Sequence, residues 1–289
     1  MDMRYLQTGG QPAQTQPKQP GLEDKMNPTP KQTGQEYVGS GKLTGKTALI
    51  SGGDSGIGRA VAIAYAKEGA HVAITYLEED SDAEETKRCV EAEGVQCLLI
   101  QGDVKDSGFC KEAVDQTVES LGSLNVLVNN TGVQYPQNSL LDISDEQWEE
   151  TFQTNIFSFF YMTKAAIPHL KSGDTIIFTS SINAHVGNET LIDYTATKGA
   201  ITAFARSMAR SLAKDNIRVN TVAPGPIWTP LIPSTFDANK VAKFGTDTPL
   251  GRPGQPSELA GAYVHLASDE STYMTGQTIH INGGMYTSS

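Results

Sequence analysis

The chain has 289 residues, 38% hydrophobic and 19% charged, which suits a single α/β domain whose core needs no disulfide or structural metal to hold it. Its formal net charge is −11. An acidic surface of that size disfavours nucleic acid and anionic membranes as partners.

The N-terminus, MDMRYLQTGGQ, lacks the apolar stretch of a secretory signal, and no apolar run reaches the ~20 residues of a membrane span. Cys89, Cys97 and Cys110 are odd in number and form no CxxC pair, and the five histidines make no HExxH or Cys/His cluster. A reducing, cytoplasmic compartment and no catalytic metal are expected. Residues 1–40 hold seven Gln and five Pro. Such a stretch has too few apolar side chains to offset its ordering entropy, so it reads as a flexible arm. The other reading is an arm packed on a neighbouring subunit through Tyr5, Leu6, Leu22, Met26 and Tyr37. Residues 41–289 then form the catalytic domain.

From Lys46 onward, short apolar runs (KTALIS, HVAITY, VQCLLI, LNVLVN, DTIIFTS, IRVNTVA, GQTIHING) alternate with longer amphipathic stretches. The runs read as buried strands. Helices are expected over GRAVAIAYAKEG, DAEETKRCVEAEG, KEAVDQTVESLG, Ser144–Leu170 and Asp193–Lys214. Alternation of this kind implies right-handed βαβ units: one doubly wound parallel sheet, a Rossmann fold, with helices on both faces.

The first strand ends at Ser51, glycines follow at Gly52, Gly56 and Gly58, and a helix begins. Glycine permits the tight turn and close backbone approach that a diphosphate needs, and the helix N-terminus adds free N–H groups and a favourable dipole. The spacing is GxxxGxG. It resembles the TGxxxGIG fingerprint of the short-chain dehydrogenase/reductase family, with Ser51 in place of the opening Thr. The resemblance spans about residues 43–284. Epimerases and dehydratases of the extended family carry GxxGxxG, which is absent here. The Gln/Pro arm, GGDSGIGRA, NETLIDYTATKGA and PGPIWTPLIP also resemble a bacterial branch of the family linked to general stress.

The resemblance implies a nicotinamide dinucleotide, NAD or NADP, held by Gly52, Asp54, Ser55, Gly56, Ile57 and Gly58. Eighteen residues after Gly58 stand Tyr76 and then Leu77, neither acidic nor basic. Glu78, Glu79 and Asp80 follow, and with Asp54 in the turn they lean slightly toward NAD. Arg59 could still swing toward the ribose. Asp103 and Val104, in QGDV, match the family's adenine contact, although Asp103 reads equally well as a helix cap. LVNNTG resembles NNAG, with Thr131 for Ala, and implies that Asn129 and Gly132 line the cofactor floor. Pro224 and Gly225 match the PG turn, and Ile227 and Thr229 would meet the carboxamide.

Tyr194 and Lys198 are four apart on a predicted helix, hence on one face. They match the family's YxxxK pair. Ser181, thirteen residues before Tyr194, matches its catalytic serine, and Asn155 its catalytic asparagine. Moving hydride to or from a carbonyl carbon requires a proton at the oxygen. A phenol ionises near pH 10. A neighbouring ammonium favours the phenolate, and a fall of about two or three pH units would bring Tyr194 into the acid–base range. Lys198 would also hold the nicotinamide ribose, Ser181 would donate to the substrate oxygen, and Asn155 would hold a water on the proton path.

The substrate is expected to be a small carbonyl or alcohol compound touching Ser181, Tyr194 and Tyr135. It would be covered by a long, mobile stretch, Pro226–Pro253, carrying Trp228, Leu231, Ile232, Phe236 and Phe244. Val133, Gln134, His185 and Asn188 are further candidates for the mouth. Apolar surface on more than one side of the Asp193–Lys214 helix, with the family's packing, implies a homotetramer. The alternative to an enzyme is a dinucleotide-sensing binding protein that has lost turnover. Sensors of that kind typically lack the Tyr or the Lys.

Overall fold

The structure, a computed structural model, describes residues 8–34 and 36–288. Tyr5 and Leu6, two of the expected anchors, lie outside them. Among the described residues seven strands form one all-parallel sheet: β1 (Thr47–Ser51), β2 (His71–Tyr76), β3 (Cys97–Gln101), β4 (Val126–Asn129), β5 (Thr175–Thr179), β6 (Arg218–Pro224) and β7 (Thr278–Ile281). Their order is β3-β2-β1-β4-β5-β6-β7. The chain reverses direction between β1 and β4, which opens a crevice at the carboxyl ends of those strands.

Alternate strand residues feed the two faces. Ala48 and Ile50 of β1 pack with helix α1 (Gly56–Lys67), α2 (Asp80–Glu91) and α10 (Ser257–Ala267). Leu49 packs on the opposite side with α3 (Ser107–Leu121), α5 (Ser158–Ala166) and α7 (Ile192–Leu212). Strands buried on both faces are continuous apolar runs, which is how the sequence displays them. No helix among the described residues is long and apolar enough to cross a membrane.

Three segments differ from expectation. The helix expected over Ser144–Leu170 is α4 (Asp145–Phe152) joined to α5 through a π-helical turn at Gln153–Phe157. Asn155 sits inside that turn, with its side chain bonded sideways to another loop. The stretch after β6 is partly helical, with α8 (Leu231–Thr235) and α9 (Ala238–Lys243), while α6 (Asn183–Val186) follows β5. Trp228, Ile232, Phe236 and Val241 are buried together with Met26 and Leu191, so apolar anchoring replaces the expected mobility.

The third is the arm. From residue 9 it lies along the body of its own chain: Gly9 N donates to Gly251 O (2.7 Å), Gln16 N to Pro233 O (2.6 Å), and Ser257 N to Lys31 O (3.1 Å). Trp228 Nε1 donates to Pro28 O (2.8 Å) and Thr33 Oγ1 to Ala60 O (2.8 Å). Directed polar bonds, together with the burial of Met26 beside Trp228, hold the segment, so low average hydrophobicity is a poor guide to its path.

Candidate active site

One cavity of about 730 Å³ runs along the carboxyl ends of the central strands, from the β1–α1 loop to the start of α7. At the loop, Gly52 and Gly56 adopt φ of +62° and +52°, a region that L side chains avoid. A Cβ on Gly58 would stand 2.0 Å from Gly52 O. Gly58 therefore lets the helix start under the loop and lies off the cavity wall. Ser51 Oγ accepts from Asn130 N (2.9 Å) and Thr131 N (3.3 Å), which ties β1 to the β4 loop. Ser55 does not cap α1 with its side chain. The acceptor for Gly56 N is instead Glu23 Oε2 of the arm, at 2.8 Å.

Beyond the loop, Tyr76, Leu77, Asp103 and Val104 line one end of the cavity. Asp103 Oδ1 accepts from Lys105 N, and the side-chain cap of α3 is Asp106. Asp54 is buried on the wall, where desolvation and then the nearby Glu79 push its carboxyl up to about 7. Arg59 does not reach this end. Its guanidinium is buried and held inward by Glu23 Oε1 (2.7 Å), Asp82 Oδ1 (3.1 Å), Asp54 O (2.8 Å) and Thr86 Oγ1 (2.9 Å).

Asn129 is also misplaced by the sequence reading. It ends β4 pointing away from the cavity, with Nδ2 on Thr163 Oγ1 at 3.2 Å. Its neighbour Asn130 lines the wall, donating to Gly52 O (3.0 Å) and accepting from Thr179 Oγ1 (3.2 Å). Strand alternation turns one of two adjacent asparagines each way, and the motif alone could not say which. Gly132, Pro224, Gly225, Ile227 and Thr229 line the other half. A Cβ on Gly225 would lie 2.6 Å from Asn282 Cα, so this turn too requires glycine.

Tyr194 and Lys198 occupy the first turns of α7, and Ser181 follows β5; all three line the cavity. The Ser181 side chain favours the ionised form of the Tyr194 hydroxyl. Lys198 Nζ donates to Thr179 O at 3.0 Å and lies 5.4 Å from the centre of the Tyr194 ring. Burial pushes the phenol up to about 12, against a smaller lowering from Ser181, and brings the ammonium down to about 7. The expected lowering of the phenol is thus absent. Desolvation opposes both charges.

Asn155 is buried behind the wall. Its amide clamps the backbone of Val133, with Oδ1 accepting from N (2.8 Å) and Nδ2 donating to O (2.9 Å). Its Oδ1 and Lys198 Nζ border one space, each 3.6 Å from where a Cβ on Gly132 would be. Asp193, fully buried, accepts from Gln147 (2.9 Å) and Thr151 (2.8 Å), which fixes α7 against α4.

At the mouth, Val133, Gln134, Tyr135, Asn188, Leu231, Ile232, Phe236 and Phe244 line the cavity. One expected mouth residue does not: His185 stacks on Tyr286 and packs edge-on to His280. Trp228, expected in the covering stretch, is fully buried and anchors that stretch, the lid, from beneath. Gln19, Pro20 and Gly21 of the arm also line the wall. Nothing in a Gln/Pro-rich composition could have announced them.

Comparison with known proteins agrees with this geometry. The family described as enoyl-(acyl carrier protein) reductase matches residues 52–286. General stress protein 39 of Bacillus subtilis is 64% identical, over 95% of this chain and 96% of its own. The chain belongs to the short-chain dehydrogenase/reductase family of oxidoreductases. Within that family, a carrot protein named glucose and ribitol dehydrogenase is 49% identical, over 96% of this chain and 98% of its own. An Arabidopsis thaliana protein named NADPH-dependent aldehyde reductase 1 is 48% identical, over 94% and 96%. A Sinorhizobium meliloti dehydrogenase/reductase structure has a TM-score of 0.80 and 32% identity, covering 85% of this chain and 96% of that one. A Burkholderia cenocepacia short-chain dehydrogenase solved with NADP has 0.79 and 31%, covering 84% and 98%.

Proposed function

We propose that the protein moves a hydride between a nicotinamide dinucleotide and a small carbonyl or alcohol compound, with Tyr194 as the acid–base group. One observation carries the reading. Tyr194, Ser181 and Lys198, one turn from Tyr194, share a cavity with a positive-φ glycine loop at a helix N-terminus. The residues present fit a dinucleotide. Gly52 and Gly56, both at positive φ, line the cavity and leave room for close backbone approach.

The bound nicotinamide would give or take the hydride. The chain's own residues manage the proton. Ser181 donates to the substrate oxygen as charge grows there, and Tyr194, protonated at neutral pH, delivers its proton. Lys198 in its charged form stabilises the phenolate left behind. Asn155 is a positioning residue: by clamping Val133 it holds open the space it shares with Lys198, where a water would pass the proton on. Tyr135 and Gln134 would meet the substrate's polar end, and Ile232, Phe236 and Phe244 its apolar side. The names of the carrot and Arabidopsis relatives agree with an aldehyde or polyol substrate.

Asp54, Glu78 and Glu79 lean slightly toward NAD, because they repel a 2′-phosphate. A homotetramer is part of the proposal. Phe157 and Phe160 are exposed and form an apolar groove with Ile156, Tyr161, Ala200 and Phe204, across the π turn, α5 and α7. So is a cytoplasmic location, in keeping with three free cysteines. The test is titration of purified protein with NADH and NADPH by nicotinamide fluorescence, followed by aldehydes, ketones and sugars. Saturable binding of one dinucleotide and its oxidation by an aldehyde or ketone are expected; the absence of binding to either would refute the reading.

A further inference from the structure

The arm presents residues to the cavity that the chemistry above does not use. Gln19 is clamped at both ends of its carboxamide on one backbone unit: Nε2 donates to Gln134 O at 2.7 Å, and Oε1 accepts from Gln134 N at 3.2 Å. On one side, Lys18 pairs with Glu78, just past the end of β2. On the other, a Cβ on Gly21 would lie 2.6 Å from Pro230 O, in the lid after β6. Residues 18–21 therefore cross the cavity mouth, touching the loops that follow β2, β4 and β6.

The crossing is anchored beside the glycine loop. Glu23 accepts from Gly56 N (2.8 Å), Arg59 Nη1 (2.7 Å) and Gln32 Nε2 (2.8 Å), while Glu23 N donates to Asp82 Oδ2 (2.8 Å). Glu23, Arg59 and Asp82 are all buried. Buried ionic clusters contribute little net stability; their best-attested use is to fix register. Here the register is that of the arm on the loop.

We infer that residues 18–21 are a dinucleotide-binding segment supplied by the arm, with Gln19 as a contact residue and Glu23 as the positioning residue that registers it on the loop. The inference rests on the dinucleotide reading of the cleft. A dinucleotide under this segment leaves only when Gln19 lets go of Gln134, so the arm governs release. By linkage, a bound dinucleotide holds the arm seated.

The experiment uses full-length wild type, Gln19→Ala and Glu23→Gln. Release of NADH and of NADPH is followed by stopped-flow fluorescence. Tryptic cleavage after the exposed Lys18 is followed by mass spectrometry, with and without saturating dinucleotide. Removal of two hydrogen bonds should speed release from Gln19→Ala about ten-fold, with its melting temperature unchanged when no dinucleotide is added. Dinucleotide should slow cleavage of the wild type about ten-fold, and of Glu23→Gln much less. If Glu23→Gln fails to fold, Gln19→Ala, altered only at a part-exposed carboxamide, decides the matter. Normal binding with unchanged release from Gln19→Ala and dinucleotide-indifferent cleavage would overturn this inference and leave the oxidoreductase reading standing. Failure of the wild type to bind either dinucleotide would overturn both.

Discussion

Asp54 offers a test in which stability and cofactor choice change together. Its carboxyl is buried on the cavity wall and pushed from 3.8 up to about 7, by burial first and Glu79 second. A carboxyl whose folded value is raised binds more protons in the folded state between about pH 4 and 7. Stability is therefore lost as pH rises through that window. At about 1.4 kcal/mol per pH unit, the ionised group costs on the order of 4 kcal/mol by pH 8, and about half that once local relaxation is allowed. Asp54→Asn keeps the shape and removes the ionisation. The variant should match the wild type at pH 4.5 and exceed it at pH 8 by about 2–4 kcal/mol, or roughly 5–10 °C in melting temperature. Its affinity for NADPH should also rise relative to NADH, because one repulsive charge is gone. Differential scanning fluorimetry across pH 4.5–9, with both dinucleotides as ligands, reads out both effects. An equal difference in melting temperature at pH 4.5 and pH 8 would refute the assignment of a buried, ionising Asp54.

Three further outcomes follow from the same geometry. Tyr194→Phe should lower kcat by about 10²–10⁴-fold with dinucleotide affinity nearly intact, as measured by single-turnover oxidation of NADH or NADPH; survival of turnover would remove the phenol from the mechanism. Gly58→Ala places a methyl against Gly52 O, so dinucleotide affinity should fall by at least about ten-fold while circular dichroism stays native. Phe160→Glu puts a charge into the apolar groove on α5 and should shift sedimentation toward smaller assemblies; an unchanged sedimentation profile would count against that face as an interface.

The central strands were legible because both their faces are buried, so β1, β4 and β5 are short, largely apolar runs. The glycine loop and the Tyr194–Lys198 spacing were legible because both are local: a turn and one helical turn. Features that depend on distant partners were not. The π turn around Asn155 depends on the Val133 backbone, which no periodicity records. The choice between Asn129 and Asn130 depends on where β4 stops, a matter of one residue. Glu23 caps a helix that begins thirty-three residues later and pairs with Arg59, so a Gln/Pro-rich composition concealed a specific docked path.

The Tyr194–Lys198 pair shows how residue identity can name the chemistry while burial sets the protonation. Spacing implies that the ammonium acidifies the phenol, yet burial brings the ammonium down to about 7 and lifts the phenol to about 12. Near neutral pH the phenol is therefore protonated and Lys198 is the group that titrates. Carbonyl reduction needs a phenol that can give up its proton and a cation to stabilise what remains. The cation is present below about pH 7 and is lost as pH rises through that value. The reductive kcat should accordingly fall above about pH 7, with one apparent ionisation belonging to the pair, and Lys198→Met should lower the rate and abolish that limb. A reductive rate flat from pH 6 to 9 would mean that Lys198 holds its proton throughout, and that the field of its surroundings, rather than desolvation, governs the pair.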